Sequence, residues 1–277
     1  MKEDTKSLVL KDSRSLAYIE YGTGFPIFYF HGTPGSRFEA KHLAGEEGVR
    51  IIGVDRPGIG LSSYKKNRTL LDWPDDIVEL ADYLEIQQFS IVGFSGGAPY
   101  VLACAKKISE RLISCGIVSG AVKIGSFVSM LANIMPWLFM PIMKKMLVSV
   151  ESTKELLLKQ AAKEWPKSDS DLLKDSDTLE IMAQALFTAF NQGSKGVACD
   201  ANLIGNIKGI NPEDIKFENI YLWHGCLDKN VPLEAVKREA ARFNLRNTTY
   251  LENEGHLSLI VNYRQPIIES LIAPLKK

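Results

Sequence analysis

Three short, mostly apolar runs constrain this chain more than any other feature: VRIIGV (Val49–Val54), FSIV (Phe89–Val92) and LISCGIV (Leu112–Val118). They have the composition of strands buried on both faces. Ser7–Leu10 and Leu16–Tyr21 read as an opening pair of strands, and Pro26–Phe30 follows as a short aromatic-rich one. Asp72–Leu84 reads as a helix: Asp72 can cap, Pro74, Asp75 and Asp76 suit the first turn, and Ile77, Leu80, Ala81 and Leu84 share a face. The β signal stops after residue 122 and resumes at Ile220–Trp223 and Thr248–Leu251, each associated with a helix-like stretch, Leu233–Phe243 and Pro266–Leu271. Strands alternating with helices predict an α/β fold with a mostly parallel sheet and helices on both faces. Residues 1–122 and 211–277 then form one core, and 123–210 is a helical insertion between two of its strands. The chain shows no internal repeat and no low-complexity tract.

The 277 residues carry 33 basic and 33 acidic side chains, a formal net charge of zero. Nucleic-acid binding needs a basic surplus or a basic face, and neither is visible. Cys104, Cys115, Cys199 and Cys226 are widely spaced, without a CxxC pair or a histidine at metal-ligand spacing. They read as reduced thiols packed as small apolar groups, with no metal site. The N-terminal MKEDTKS mixes acids with bases and lacks the apolar stretch of a signal peptide, so a cytoplasmic protein is expected. Phe127–Met143 is uncharged and apolar but too short to span a bilayer, is interrupted by Pro136 and Pro141, and runs into Lys144 and Lys145. It is expected to be a buried or lid helix pair. Met130, Met135, Met140, Met143 and Met146 cluster there, suited either to core packing or to lining an adaptable apolar pocket.

Gly93-Phe94-Ser95-Gly96-Gly97 fits G-x-S-x-G. The pattern alone arises by chance in about one chain in ten of this length, so its context has to carry it. A strand, Phe89–Val92, precedes it and a helix, Ala98–Ala105, follows, with Pro99 in the first turn. A serine on a tight strand-to-helix turn is lifted clear of the sheet, and the helix N-terminus favours developing negative charge.

A serine hydroxyl needs a general base and a group orienting that base. His256 lies in Glu254-Gly255-His256-Leu257, just beyond Thr248–Leu251, where active sites of such sheets occur. Asp228 follows the preceding strand in Gly225-Cys226-Leu227-Asp228, whereas Ser119-Gly120-Ala121-Val122 after LISCGIV offers no carboxylate. The chain order is nucleophile, acid, base. Two backbone N–H groups must face an oxyanion. Gly96, directly after the serine, supplies one. Thr33 in His31-Gly32-Thr33-Pro34-Gly35 is the natural second, because Pro34 cannot donate. His31 and His224 are assigned to loop ordering, His42 to a solvated position, and Asp55-Arg56-Pro57-Gly58 to a rigid turn whose charges tie loops together. Glu151, Glu155, Asp169 and Asp171 are expected on solvated faces; two of them turned inward would instead hold a substrate amine.

HGTPG, DRPGIGLSS (Asp55–Ser63), GFSGG, HGCLD and EGH, in that order, resemble an α/β-hydrolase with a helical cap. The resemblance covers nearly the whole chain and is least informative over the cap. It implies an eight-stranded sheet, a Ser95–His256–Asp228 triad and a substrate pocket between core and cap. HGTPG also resembles the HGGPG of proline iminopeptidases, but GFSGG departs from their GGSWG elbow. Ser95 disfavours relatives with an aspartate nucleophile, the haloalkane dehalogenases and epoxide hydrolases. The expectation is a cofactor-free serine esterase acting on a small or medium apolar carboxylic ester. An aminopeptidase, a lactone, carbon–carbon or perhydrolase chemistry, and a small-molecule receptor with vestigial hydrolysis are the alternatives.

Overall fold

The computed structural model describes residues 4–120 and 135–276. Eight strands form one sheet: β1 Lys6–Val9, β2 Ser15–Gly22, β3 Phe25–Phe30, β4 Val49–Val54, β5 Phe89–Phe94, β6 Leu112–Val118, β7 Ile220–Gly225 and β8 Asn247–Leu251. Their spatial order is β1-β2-β4-β3-β5-β6-β7-β8. β2 runs antiparallel to both neighbours, and every pair from β4 to β8 is parallel.

The apolar runs are double-sided, as a covered parallel sheet demands. In β3, Phe28 and Phe30 enter the core on one face, while Ile27 and Tyr29 enter the core on the other. Helices α1 (Trp73–Tyr83) and α2 (Ala98–Lys107) cover the first face. A 3₁₀ turn, Arg37–Leu43, and a C-terminal helix, Arg264–Ile272, cover the second. Helix α1 turns Ile77, Leu80 and Ala81 inward, each fully buried. Burying a Leu or Ile side chain contributes about 1.5–3 kcal/mol, so this face and not local propensity holds the helix. Asp72 does not cap it. Its carboxylate turns back to accept from Thr69 N at 2.6 Å, capping the preceding turn.

Among the described residues five helices lie between β6 and β7: α3 Pro136–Met146, α4 Val150–Glu164, α5 Lys167–Leu172, α6 Ser176–Ala189 and α7 Lys195–Gly205. Met130 and residues 127–134 of the apolar stretch fall outside the described residues. The remainder of that stretch opens α3 with Pro136 in its first turn. Among the described residues no helix is long and apolar enough to cross a membrane. After β7 come α8 Leu233–Arg242, then, beyond β8, α9 Leu257–Asn262 and α10 Arg264–Ile272. His42, expected in solvent, is buried on the 3₁₀ turn beside Leu43 and Ala40. The turn lies flat against the sheet and has no wet face at that position; burial pushes the imidazole down to about 4.

Candidate active site

The strand ends around β5 gather the sequence-predicted residues at one cavity. Ser95 stands between β5 and α2 with φ +49°, the left-handed region that a side-chain-bearing residue adopts at a cost of about 1–3 kcal/mol. Gly93 lets the turn close: a Cβ there would lie 2.6 Å from Gly97 O and 2.6 Å from Val101 Cγ2. Thr33, in the loop after β3, is packed onto the same turn. A Cβ on Gly96 would meet Thr33 Oγ1 at 2.7 Å, so the Thr33 side chain packs directly against the Gly96 backbone.

Asp228 and His256 come from the loops after β7 and β8. His256 Nδ1 and Asp228 Oδ2 are 2.7 Å apart. Asp228 Oδ1 accepts from Asn230 N at 2.8 Å and Val231 N at 2.9 Å, which fixes the carboxylate plane. Burial opposes its ionisation, but the charge of His256 and the hydrogen bond to it outweigh that and hold the carboxyl below the usual range. Burial likewise opposes protonation of His256, and Asp228, then Asp169 and Glu39, overturn it and raise the imidazole. The ring of His256 lies 5.0 Å from that of Phe94, next to Ser95. Ser95, Thr33 and His256 line a cavity of about 590 Å³.

The loop-ordering histidines behave as expected. His31 is fully buried, with Nδ1 2.8 Å from Gly32 O and Nε2 accepting from Arg56 N at 3.3 Å. Burial and the Arg56 charge keep it well below the ordinary value. His224 places Nε2 2.9 Å from Val231 O. Asp55 and Arg56 do tie loops together. Asp55 accepts from Arg37 N at 2.8 Å and Leu61 N at 3.1 Å, and pairs with the Arg37 guanidinium. Arg56 donates to His31 O at 2.6 Å and Gly32 O at 2.9 Å.

Three acids surround the site, two that sequence reasoning missed and one that it placed in solvent. Asp200 of α7 is wholly buried and accepts from Arg56 Nε (3.0 Å) and Nη2 (2.8 Å), Arg68 Nη2 (2.9 Å), Tyr100 OH (2.6 Å) and Thr33 Oγ1 (2.6 Å). Against the cost of burial, the Arg56 and Arg68 charges hold its carboxyl far below the usual range. A signal existed: Asp200 shares a helical face with Val197, Ala201 and Ile204, and a lone carboxylate on an apolar stripe calls for a buried partner.

Asp169 of α5 is the second, and it corrects an expectation. Glu151, Glu155 and Asp171 are exposed as anticipated, but Asp169 is 2% exposed and lines the cavity. Its carboxylate accepts from His256 N (2.8 Å), Leu257 N (3.0 Å) and Ser258 N (2.8 Å), satisfying the orphan donors that open α9. Gly255 permits the approach, since a Cβ there would sit 2.5 Å from Asp169 Cγ. No sequence spacing marks a contact between residues 169 and 256. Glu39, buried on the 3₁₀ turn, is the third; Oε2 accepts from Gly32 N at 2.7 Å.

The methionine cluster divides between its two readings. Met140 is buried in packing against Leu147 and Phe190, whereas Met143 and Met146 line the cavity with Phe139, Ile142 and Leu186. Among the described residues no group of His, Cys, Asp and Glu could hold a metal ion, and all four cysteines are free.

Comparison with known proteins agrees with this architecture. A hydrolase of Bacillus subtilis (strain 168), YcgS, itself uncharacterised, is 29% identical over 114 residues, 40% of each chain, so the match spans less than half of that relative. Among solved structures, an alpha/beta hydrolase fold protein from Nakamurella multipartita superposes with a TM-score of 0.75 at 19% identity, covering 98% of this chain and 99% of that one. The Exiguobacterium antarcticum esterase EaEST gives 0.68 at 21%, covering 99% and 100%. The enol-lactonase of Burkholderia xenovorans LB400 gives 0.68 at 16%, covering 98% and 100%. At such identities these likenesses speak to the fold alone. A sequence description of the Alpha/beta hydrolase family, however, matches residues 27–266, from β3 through α10, and on that match the chain belongs to the alpha/beta hydrolase family.

Proposed function

We propose that the chain is a serine hydrolase that cleaves a small or medium apolar carboxylic ester through an acyl-enzyme. The observation that carries this reading is that His256, paired at 2.7 Å with Asp228, lines one cavity with a serine held at φ +49° on a strand-to-helix turn. Ser95 Oγ attacks the ester carbonyl while His256 Nε2 takes its proton. The N–H groups of Thr33 and Gly96 receive the developing oxyanion. Asp228 fixes the imidazole tautomer through Nδ1 and stabilises the imidazolium. Collapse of the tetrahedral species expels the alcohol, which leaves with the proton from His256. Water, deprotonated by His256, then releases the acid and restores the serine.

The helical insertion, residues 123–210, acts as a cap over a core made of 1–122 and 211–277. It contributes most of the apolar lining, from α3, α4 and α6, which suits an apolar substituent. The amine-binding alternative needs two inward cap acids with free oxygens. Asp169 turns inward, but three backbone N–H groups already occupy it.

The test is hydrolysis of p-nitrophenyl esters of increasing acyl length and of a prolyl-arylamide by wild type and Ser95→Ala, with fluorophosphonate labelling alongside. Turnover of esters and labelling, both lost in Ser95→Ala by several orders of magnitude, are expected. Unchanged turnover in that variant refutes the mechanism. Cleavage of the arylamide alone replaces the esterase with an aminopeptidase.

A further inference from the structure

Among the described residues Glu39 is the one carboxylate lining the cavity with an oxygen to spare. Oε2 is held by Gly32 N at 2.7 Å, but Oε1 accepts no hydrogen bond among the described residues. The residue is 3% exposed, yet Oε1 is not among the sealed polar atoms, so it keeps access to the cavity that the side chain lines. Among the described residues the other acids around the site, and Thr33 Oγ1, are committed, while the uncharged side chains of Gln160 and Asn230 also line the cavity. Asp169 is filled by three N–H groups, Thr33 Oγ1 donates to Asp200, and Asp228 is occupied by His256 and two backbone amides. Among the described residues, no Lys or Arg lines the cavity.

The position of Oε1 relative to the nucleophile follows from Gly32. A methyl group on that residue would touch both Ser95 Cβ, at 3.5 Å, and Glu39 Oε1, at 3.6 Å. Serine and carboxylate therefore both border the space beside Gly32 Cα. A carbonyl seated at Ser95 has its neighbouring groups within reach of that space.

We propose that Glu39 is a specificity residue, whose Oε1 accepts a hydrogen bond from a hydroxyl or ammonium group lying two or three bonds from the carbonyl that Ser95 attacks. The inference rests on the hydrolase reading of the same site and narrows its substrate to hydroxyacyl or aminoacyl esters bearing an apolar chain. The donor meets Glu39, and the chain extends along Met143, Met146, Met182 and Leu186. A buried acceptor left unpaired by a plain acyl group costs free energy that a donor-bearing one recovers, and this is how a site discriminates strongly against an analogue lacking a hydroxyl or amine. Burial pushes the Glu39 carboxyl up to about 7, against the pull of Gly32 N–H, Arg56 and His256. A hydroxyl donor or a cation in the space beside Gly32 favours its ionised form, whereas an anionic substituent meets a second negative charge. If Glu39 served only to hold the Gly32 loop, Oε2 alone would suffice.

The test compares p-nitrophenyl butanoate with its 2-hydroxy, 3-hydroxy and 2-amino analogues in wild type and Glu39→Gln. The amide oxygen can still accept from Gly32 N–H, while its NH₂ turns a donor toward the substrate. The readout is the ratio of kcat/KM for a donor-bearing ester to that for butanoate, corrected for alkaline hydrolysis of each, which cancels any common loss from the loop. Wild type is expected to favour one donor-bearing ester by about tenfold or more, and Glu39→Gln to abolish the preference. The hydroxy and amino arms identify the donor. A wild-type ratio near one, or a ratio unchanged by the substitution, overturns the proposal. Binding of 3-hydroxybutanamide, 2-aminobutanamide and butanamide to Ser95→Ala and Ser95→Ala/Glu39→Gln, followed by calorimetry, separates the two readings. A Glu39-dependent binding preference without turnover of any ester upholds Glu39 and refutes the hydrolase. Turnover without any preference does the reverse.

Discussion

Replacing Asp200 by Asn should destabilise this fold more than any other isosteric change at the site. Asp200 is wholly buried and faces two guanidinium groups, of which Arg56 is also wholly buried and Arg68 is 5% exposed. The carboxylate accepts five hydrogen bonds, three of them from those arginines. Asparagine keeps the shape but removes the only negative charge these two cations contact among the described residues, and it turns an NH₂ toward donors. Removing one partner of a buried pair costs about 3–5 kcal/mol, mostly the penalty of the stranded charge. For a chain of this length each kcal/mol lowers Tm by about 2–4 °C, so Tm should fall by roughly 6–20 °C. Differential scanning calorimetry and urea titration measure it, with the exposed Asp171→Asn as a control that should not move. The sign with pH follows from a folded pKa held far below the unfolded one. The stability Asp200 contributes is present above the ordinary carboxylate range and is lost only as pH falls toward that low value, so the deficit should be flat from pH 5 to 8. Adding Arg68→Met should recover part of it by removing one stranded cation. A Tm within about 2 °C of wild type, or a deficit that vanishes within that pH range, refutes the reasoning.

Turnover should rise with pH as His256 loses its proton, with the acid limb of kcat/KM above the ordinary imidazole value because Asp228 raises it; Asp228→Asn should shift that limb down and cost about 10⁴-fold in kcat. A limb unmoved by the substitution would assign it to another group. In thermal melts, Glu39→Gln should gain on wild type as pH rises. The buried carboxyl keeps its proton to about 7, whereas in the unfolded chain it ionises near 4.5, so wild-type stability falls through that window by about 3 kcal/mol. A difference between the two proteins that stays constant from pH 5 to 8 contradicts this. Asp169→Asn offers one acceptor oxygen to three N–H groups, and kcat should fall by about 10²-fold through displacement of His256. Faster hydrogen exchange at Leu257 and Ser258 should accompany that loss, and unaltered exchange with normal kcat argues against it.

The sheet was legible because its physics is local. VRIIGV, FSIV and LISCGIV each form a strand at or within a residue or two of the expected bounds, since apolar runs covered on both faces leave the chain no wet alternative. Ser95, Asp228 and His256 were legible for a related reason. A parallel sheet delivers the carboxyl ends of its strands to one edge, so residues just past β5, β7 and β8 become neighbours whatever their separation in sequence. Asp169, Asp200 and Glu39 had no such guide. Asp169 reaches its partners across 87 to 89 positions and Asp200 reaches Arg56 across 144, and both contacts depend on how a helical insertion docks. His42 failed for a different reason: a charged-looking 3₁₀ turn gives no periodicity from which to tell its covered side.

The docking of the insertion also limits how a substrate can enter. Two of its carboxylates end inside the core, Asp200 against Arg56, Arg68, Tyr100 and Thr33, and Asp169 on the backbone of His256, Leu257 and Ser258. Swinging the whole insertion outward would strip eight hydrogen bonds, strand two buried guanidinium groups, and release both the loop carrying Thr33 and the loop carrying His256. At about 3–5 kcal/mol for the Asp200 pairing alone, the fully open state is rare, and it is also the state in which the site is least assembled. On the reading of the site as a hydrolase, access would be cheaper at α3. Phe139, Ile142 and Met146 line the cavity and are 49%, 53% and 52% exposed, so side-chain rotation there opens a path without touching either acid. Among the described residues the insertion thus divides in two: α5 and α7 brace the loops carrying His256 and Thr33, and α3, held by neither carboxylate, presents exposed side chains at the cavity.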